Sequence, residues 1–327
     1  MSGGITDVPG VRVGHRTLIE GDIRTGVTAI IPHEGEIYRD RPLAAMYVIN
    51  GFGKSVGLMQ VDELGQLETP ILLTNTLSVG TCANALIRHA VAANPGIGRR
   101  LATVNPVVGE CNDGYLNDIQ AMVVTEDDAL AALADARVDF AVGSVGAGAG
   151  MSCFGFKGGI GSASRAVRLD GADYVLGVLA LCNFGRAGDL RLPDGRRVGP
   201  DAMPTPEKGS VIVVMATDIP LDHRQLQRVI RRAGVGLARL GSVWGHGSGD
   251  VCIGFTTANR TQIEEKTDIL TQRVLAEPKI DALFHAMADA TEGAVMSCLM
   301  AGETTTGRAG HMRPGLRDIL VERGGLG

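Results

Sequence analysis

The sequence predicts an α/β fold, organised as a single domain over residues 1–327. Three features carry that expectation. Strand-like apolar runs alternate with segments of helical period along the whole chain. No linker, repeat or low-complexity segment interrupts them. Glycine is abundant, at 46 residues, while aromatics make up only 4%. The core is therefore expected to be built from Val, Ile, Leu, Ala and Met, with close backbone approaches. A chain of this length also fits two domains by size alone, but the composition shows no boundary.

The elements follow in order. Residues 8–15 alternate and read as a first strand after a turn. Residues 26–32 read as a second, stopped by Pro32, and 44–50 as a third. Residues 70–76 form a strand ending in small polar groups, after which Ser78 can cap a helix carrying Ala85, Leu86, Ala90 and Val91. Residues 105–110 are another strand, followed by the polar cluster Glu110 to Asp118. That cluster suits either ligand orientation or a solvated turn. An acid-led helix is expected over 126–136. Residues 142–165 are a glycine tract in which Lys157 is the one charge before Arg165, making it a candidate site residue. Tyr174–Cys182 and Ser210–Thr217 are continuous apolar runs, expected as strands buried on both faces. Asn183 ends the first of these, where its amide can donate to an oxyanion or close an Asx-type turn. Residues 190–198 read as a hairpin around Pro193-Asp194-Gly195. Asp222 caps a helix to about Leu240, and a second long helix runs from Ile280 to about Met300.

Several functions are excluded. The net charge of −5 and the lack of a basic stripe argue against nucleic acid as a partner. No run of about 18 apolar residues predicts a membrane span, and the first ten residues lack the pattern of a secretory signal, so a cytoplasmic location is expected. The six cysteines form no CxxC pair and are expected as buried thiols. The seven histidines show no ligand spacing, so neither a metal nor a cofactor is expected. Gly53-Lys54-Ser55 is not a P-loop, because Val48 stands where that pattern needs glycine. The glycines from Gly146 onward miss the dinucleotide fingerprint at Met151 and Cys153.

One stretch remains with the marks of chemistry. In Gly245-His246-Gly247-Ser248-Gly249-Asp250 a small hydroxyl residue sits among glycines, directly before the apolar run Val251–Thr257. If the Gly247–Ser248 bond were cut, Ser248 would carry a hydroxyl nucleophile and an α-amine base in one residue. An α-amine pKa of about 8 leaves a useful neutral fraction near neutrality. The same residues also fit a plain turn before a strand.

Taken together, these stretches resemble the DmpA-type family of self-cleaving aminopeptidases. The resemblance spans nearly the whole chain and rests on several ordered motifs. They are Thr6–His15, Thr74–Gly80, Asp113–Asp118, Phe156–Gly161, Asn183-Phe184-Gly185 and Gly247–Asp250. It implies a four-layer αββα sandwich of the N-terminal-nucleophile type, akin to ornithine acetyltransferase. It implies cleavage before Ser248 into chains 1–247 and 248–327, and an oligomer of such pairs, commonly four. Ser248 would attack the carbonyl of a small peptide, amide or ester, and Asn183 would help hold the oxyanion. Lys157 matches a lysine near the nucleophile in the nylon-oligomer hydrolase branch. Glu110 matches the carboxylate that binds the substrate's amine in the aminopeptidase branch. An orienting pair is expected on the helix after the nucleophile strand, either Thr291 and Glu292 or Asp289 and Thr291. One position departs from the pattern: Asn112 stands where the aminopeptidase branch carries an aromatic residue, which separates its amine-binding loop from that branch. The competing implications are an ω-amino-acid oligomer hydrolase, an acyltransferase, or a non-catalytic ligand-binding homologue.

Overall fold

The structure is a computed structural model that describes residues 3–200 and 209–323; the ends of the N-terminal stretch and of the Gly-rich tail lie outside them. The chain opens with β1 (Arg12–Glu20), β2 (Ile23–Ile31), β3 (Asp40–Gly51), α1 (Leu58–Leu64), β4 (Ile71–Asn75), α2 (Val79–Ala93), β5 (Val107–Cys111) and α3 (Glu126–Ala134). Two short strands, β6 (Ser152–Cys153) and β7 (Phe156–Lys157), precede β8 (Gly159–Leu169), β9 (Ala172–Asn183) and β10 (Ser210–Thr217). Then come α4 (His223–Ile230), α5 (Ala233–Arg239), β11 (Gly249–Gln262), α6 (Asp281–Ala301) and α7 (Leu316–Glu322).

Two sheets hold the longer strands, while β6 and β7 pair only with each other. One has the order β1-β2-β4-β5 and the other β3-β11-β10-β9-β8. Period-two alternation sorts each strand's side chains between two faces. On β10, Ile212, Val214 and Ala216 enter the core between the sheets, with Ile71, Leu73 and Val107 from the facing sheet. Val211, Val213 and Met215 point the other way, into a core with Leu226, Val229 and Leu237 of α4 and α5 and Met287, Ala290 and Ala294 of α6. A third core packs α2 and α3 on the outside of the four-stranded sheet, through Leu72, Val108, Leu86 and Ala129. The layers are thus α, β, β, α. Each fully buried Val, Ile or Leu contributes roughly 1.5–3 kcal/mol relative to exposure, so these three cores dominate the stability of the fold.

Local signals are met with some changes. Asp222 caps α4 in a reciprocal box with Gln225, and Thr125 caps α3 in the same way with Asp128. At α2 the cap moves: Ser78 makes no side-chain cap, while Asn75 accepts from the backbone N–H of Leu77 and of Ser78 in the turn before the helix. The helix expected to run from Asp222 to Leu240 breaks after Ile230. Its second half contains Gly234 and Gly236, poor helix formers. Gly236 packs so tightly that a Cβ there would meet the Ala288 carbonyl of α6. The glycine tract hides a full strand, β8, joined to β9 by Asp170-Gly171 with both residues at positive φ. The 190–198 hairpin is reduced to one bridge, Arg191 to Arg197.

The five-stranded sheet lies close against α6. A Cβ at Gly161 would overlap the Ala294 carbonyl and stand 2.7 Å from the Cys298 backbone nitrogen. Gly161→Ala is expected to destabilise the protein by about 3 kcal/mol, the upper end for overpacking, read from the denaturant midpoint. An unchanged midpoint would mean that α6 can move off the sheet.

Candidate active site

Strand register assembles the site at one end of the five-stranded sheet. Gly249 opens β11 opposite Gly51 of β3 on one side and Ser210 of β10 on the other. Ser210 in turn faces Asn183, the last residue of β9. Adjacent strands are about 4.8 Å apart, so Asn183 stands about 10 Å across the sheet from Gly249. Glycine is needed at 249, because a Cβ there would lie 2.6 Å from the Phe52 carbonyl oxygen.

Ser248 immediately precedes this row and is fully buried, as is Asp250. Its hydroxyl donates to Asp250 Oδ1 at 2.7 Å. The backbone before it forms a turn in which the Ser248 N–H donates to the Gly245 carbonyl at 2.9 Å. The Ser248 carbonyl accepts from Phe52 N–H at 3.3 Å. Upstream, Trp244 is held at φ 50°, a left-handed conformation unusual for a bulky residue.

The second sheet contributes the carboxylate. Glu110 of β5 is buried, 2% exposed. Its Oε1 accepts from Lys54 N–H at 2.8 Å, and its Oε2 accepts from the Thr76 hydroxyl. The loop Phe52-Gly53-Lys54 therefore touches Ser248 with one end and Glu110 with the other. Both partners of Glu110 are neutral, and its carboxylate makes no ion pair among the described residues.

Asn183 is anchored on both sides of its amide. Its Oδ1 accepts from Ser152 N–H at 2.9 Å, and its Nδ2 donates to the Asn112 carbonyl at 2.9 Å. Asn112 itself is exposed, and its Oδ1 accepts from Gly114 N–H. Lys157 is fully buried, and its Nζ donates to the carbonyls of Gly148 at 2.9 Å and Gly158 at 2.7 Å; no hydrogen bond joins it to Ser248 among the described residues. Burial pushes its pKa down to about 8, against the pull of Cys298, Asp113 and Cys153. Asp113 is buried nearby, and burial pushes its pKa up to about 7, while Thr25 and Asn117 oppose.

The helix residues expected to orient the nucleophile go elsewhere. Asp289 and Glu292 both pair with Arg239 at the end of α5, at 2.6 and 3.1 Å. Thr291 is buried, and its hydroxyl donates back to the Met287 carbonyl. The group that meets the Ser248 hydroxyl is Asp250. The sequence signal for it was plain proximity: Asp250 is the carboxylate two residues after Ser248, at the start of β11. Among the described residues no group of His, Cys, Asp or Glu is placed to hold a metal ion, and no helix is long and apolar enough to cross a membrane.

Four layers with a buried serine at the mouth of a central strand define the class of N-terminal-nucleophile-type hydrolase folds. Within that class the chain belongs to peptidase family S58, whose family model matches residues 3–313. It is 38% identical to a β-peptidyl aminopeptidase of Sphingosinicella microcystinivorans, over 94% of this chain and 83% of that protein. A crystal structure of a protein from Pyrococcus horikoshii OT3 matches with a TM-score of 0.93 at 46% identity, covering 99% of this chain and 94% of that one. The L-aminopeptidase D-Ala-esterase/amidase of Ochrobactrum anthropi, described as a variant of the Ntn hydrolase fold, matches with a TM-score of 0.89 at 33% identity, covering 100% and 96%.

Asp113 and Lys157 give opposite pH signatures. Between about pH 3.8 and 7 the folded state holds the Asp113 proton more tightly than the unfolded chain, so its contribution to stability falls as pH rises. Between about pH 8 and 10.5 the unfolded chain holds the Lys157 proton more tightly, so stability rises with pH. Asp113→Asn should flatten the acidic limb of a midpoint-versus-pH curve, and Lys157→Met the alkaline limb. Curves that keep both limbs in the two variants would assign them to other groups.

Proposed function

We propose that this peptidase is an aminopeptidase that activates itself by cutting before Ser248, and that it then releases N-terminal residues from short peptides, amides or esters. The observation that carries the reading is the buried Ser248–Asp250 hydrogen bond at the glycine-flanked start of β11. A carboxylate that accepts the hydroxyl proton at 2.7 Å is within reach to act as its base.

In the maturation step, Ser248 Oγ bonds to the Gly247 carbonyl carbon while its proton passes to Asp250. The C–N bond then breaks, and the departing nitrogen takes that proton. Water opens the resulting ester, leaving chain 1–247 with a carboxylate and chain 248–327 with a free α-amine. In turnover that amine takes the hydroxyl proton as Ser248 attacks the substrate carbonyl; the substrate's C–N or C–O bond then breaks, its leaving amine or alcohol takes that proton, and water hydrolyses the acyl-enzyme that remains. Asn183, tied at both ends of its amide, is assigned to the oxyanion. Glu110, buried with only neutral partners, is assigned to the substrate's ammonium group, since a buried carboxylate favours a cationic partner. Lys157, bound to two carbonyls, is assigned to shaping the glycine tract behind Asn183.

Intact mass under denaturing conditions tests the reading. The wild-type chain is expected as two fragments, the smaller starting at Ser248, and Ser248→Ala as one inactive chain. An active Ser248→Ala protein would remove Ser248 from the mechanism. On a panel of β-, D- and L-aminoacyl amides, Glu110→Gln is expected to raise KM at least tenfold for substrates with a free amine. Equal loss on N-acylated substrates would exclude an amine-binding role.

A further inference from the structure

The turn that precedes Ser248 is held from outside by one side chain. Asn50 stands on β3, opposite Asp250 in the β3–β11 ladder and beside an irregularity in its register. Its Nδ2 donates to the Gly245 carbonyl at 3.1 Å and also to the Ser248 carbonyl. A carboxamide nitrogen has two hydrogens, and these two carbonyls account for both. The Gly245 carbonyl receives a second donor from Ser248 N–H, and the Ser248 carbonyl a second from Phe52 N–H. The Gly247–Ser248 peptide bond lies between these two doubly held carbonyls. The Ser248 hydroxyl is fixed independently by Asp250.

We propose that Asn50 is a positioning residue for cleavage of the Gly247–Ser248 bond. This rests on the reading that Ser248 cuts before itself. By holding the carbonyl at each end of the turn, Asn50 fixes the backbone on both sides of the scissile bond. That keeps the Gly247 carbonyl carbon in line for Ser248 Oγ while Asp250 takes the proton. Asn50 bonds to neither reacting atom among the described contacts, so its effect is geometric. A misplacement of about 1 Å at a reacting centre can cost about 100-fold.

The full chain is synthesised in a cell-free system and followed by time-resolved intact mass, with and without hydroxylamine, alongside thermal unfolding. Asn50→Ala is expected to slow cleavage roughly 10- to 100-fold without a large change in melting midpoint. Asn50→Asp keeps the shape but loses both donors, so it is expected to be at least as slow. Hydroxylamine, which opens esters, should not speed either variant, because the defect lies before ester formation. Cleavage of Asn50→Asp at the wild-type rate would overturn the proposal, and this isosteric variant decides if Asn50→Ala does not fold. Hydroxylamine restoring the rate would also overturn it, by placing the defect after the acyl shift. A wild-type chain that stays whole would sink the self-cleavage reading and this proposal with it; wild-type cleavage with unaffected Asn50 variants would sink this proposal alone.

Discussion

The first half of strand β11 is buried on both faces, and protein groups satisfy the polar atoms at its start. Val251, Ile253 and Phe255 enter the core between the sheets, while Cys252 enters the core under α4, α5 and α6. Ser248, Gly249 and Asp250 are buried at the head of this strand, and an unpaired buried polar group costs about 1–3 kcal/mol. The partners are therefore protein groups: Asp250 for the hydroxyl, Asn50 and Phe52 for the Ser248 carbonyl, and Gly209 and Ser210 for the Gly249 N–H. The same constraint that buries the strand thus orients the serine.

This burial links the two sheets as well. Glu110 belongs to the four-stranded sheet and Ser248 to the five-stranded one, yet a loop of three residues, Phe52 to Lys54, hydrogen-bonds to both. The inter-sheet core holds the sheets at a fixed separation, so the Glu110 carboxylate and Ser248 keep a fixed relation without a direct contact. Close packing makes that relation stiff: protein interiors are about as dense as organic crystals.

A second buried polar layer lies behind Asn183. Its amide is locked by Ser152 and by the Asn112 carbonyl, and Ser152 accepts in turn from Arg313 Nε at 3.2 Å. Lys157 and Asp113 sit in the same region with their ionisation disfavoured by burial. Glycine is dense here because backbones approach closely: a Cβ at Gly148 would stand 2.6 Å from the Ile160 nitrogen, and one at Gly158 would overlap the Cys182 carbonyl oxygen.

Features that depend on near neighbours were legible in the sequence. Continuous apolar runs marked the buried strands at 174–182 and 210–217, and side-chain chemistry marked the cap at Asp222 and the break in pattern at Gly247-Ser248-Gly249. These follow from contacts within a few residues, which periodicity and turn preference encode directly. Tertiary structure alone decided the rest. Asn50 meets Ser248 across 198 residues, and nothing in the local pattern around Asn50 distinguishes it from a strand-end turn. Asp289 and Glu292, expected from the sequence beside Ser248, pair instead with Arg239 of α5. Asp250 falls between the two: its nearness to Ser248 was legible in the sequence, but its burial beside the hydroxyl required the two packed layers around β11.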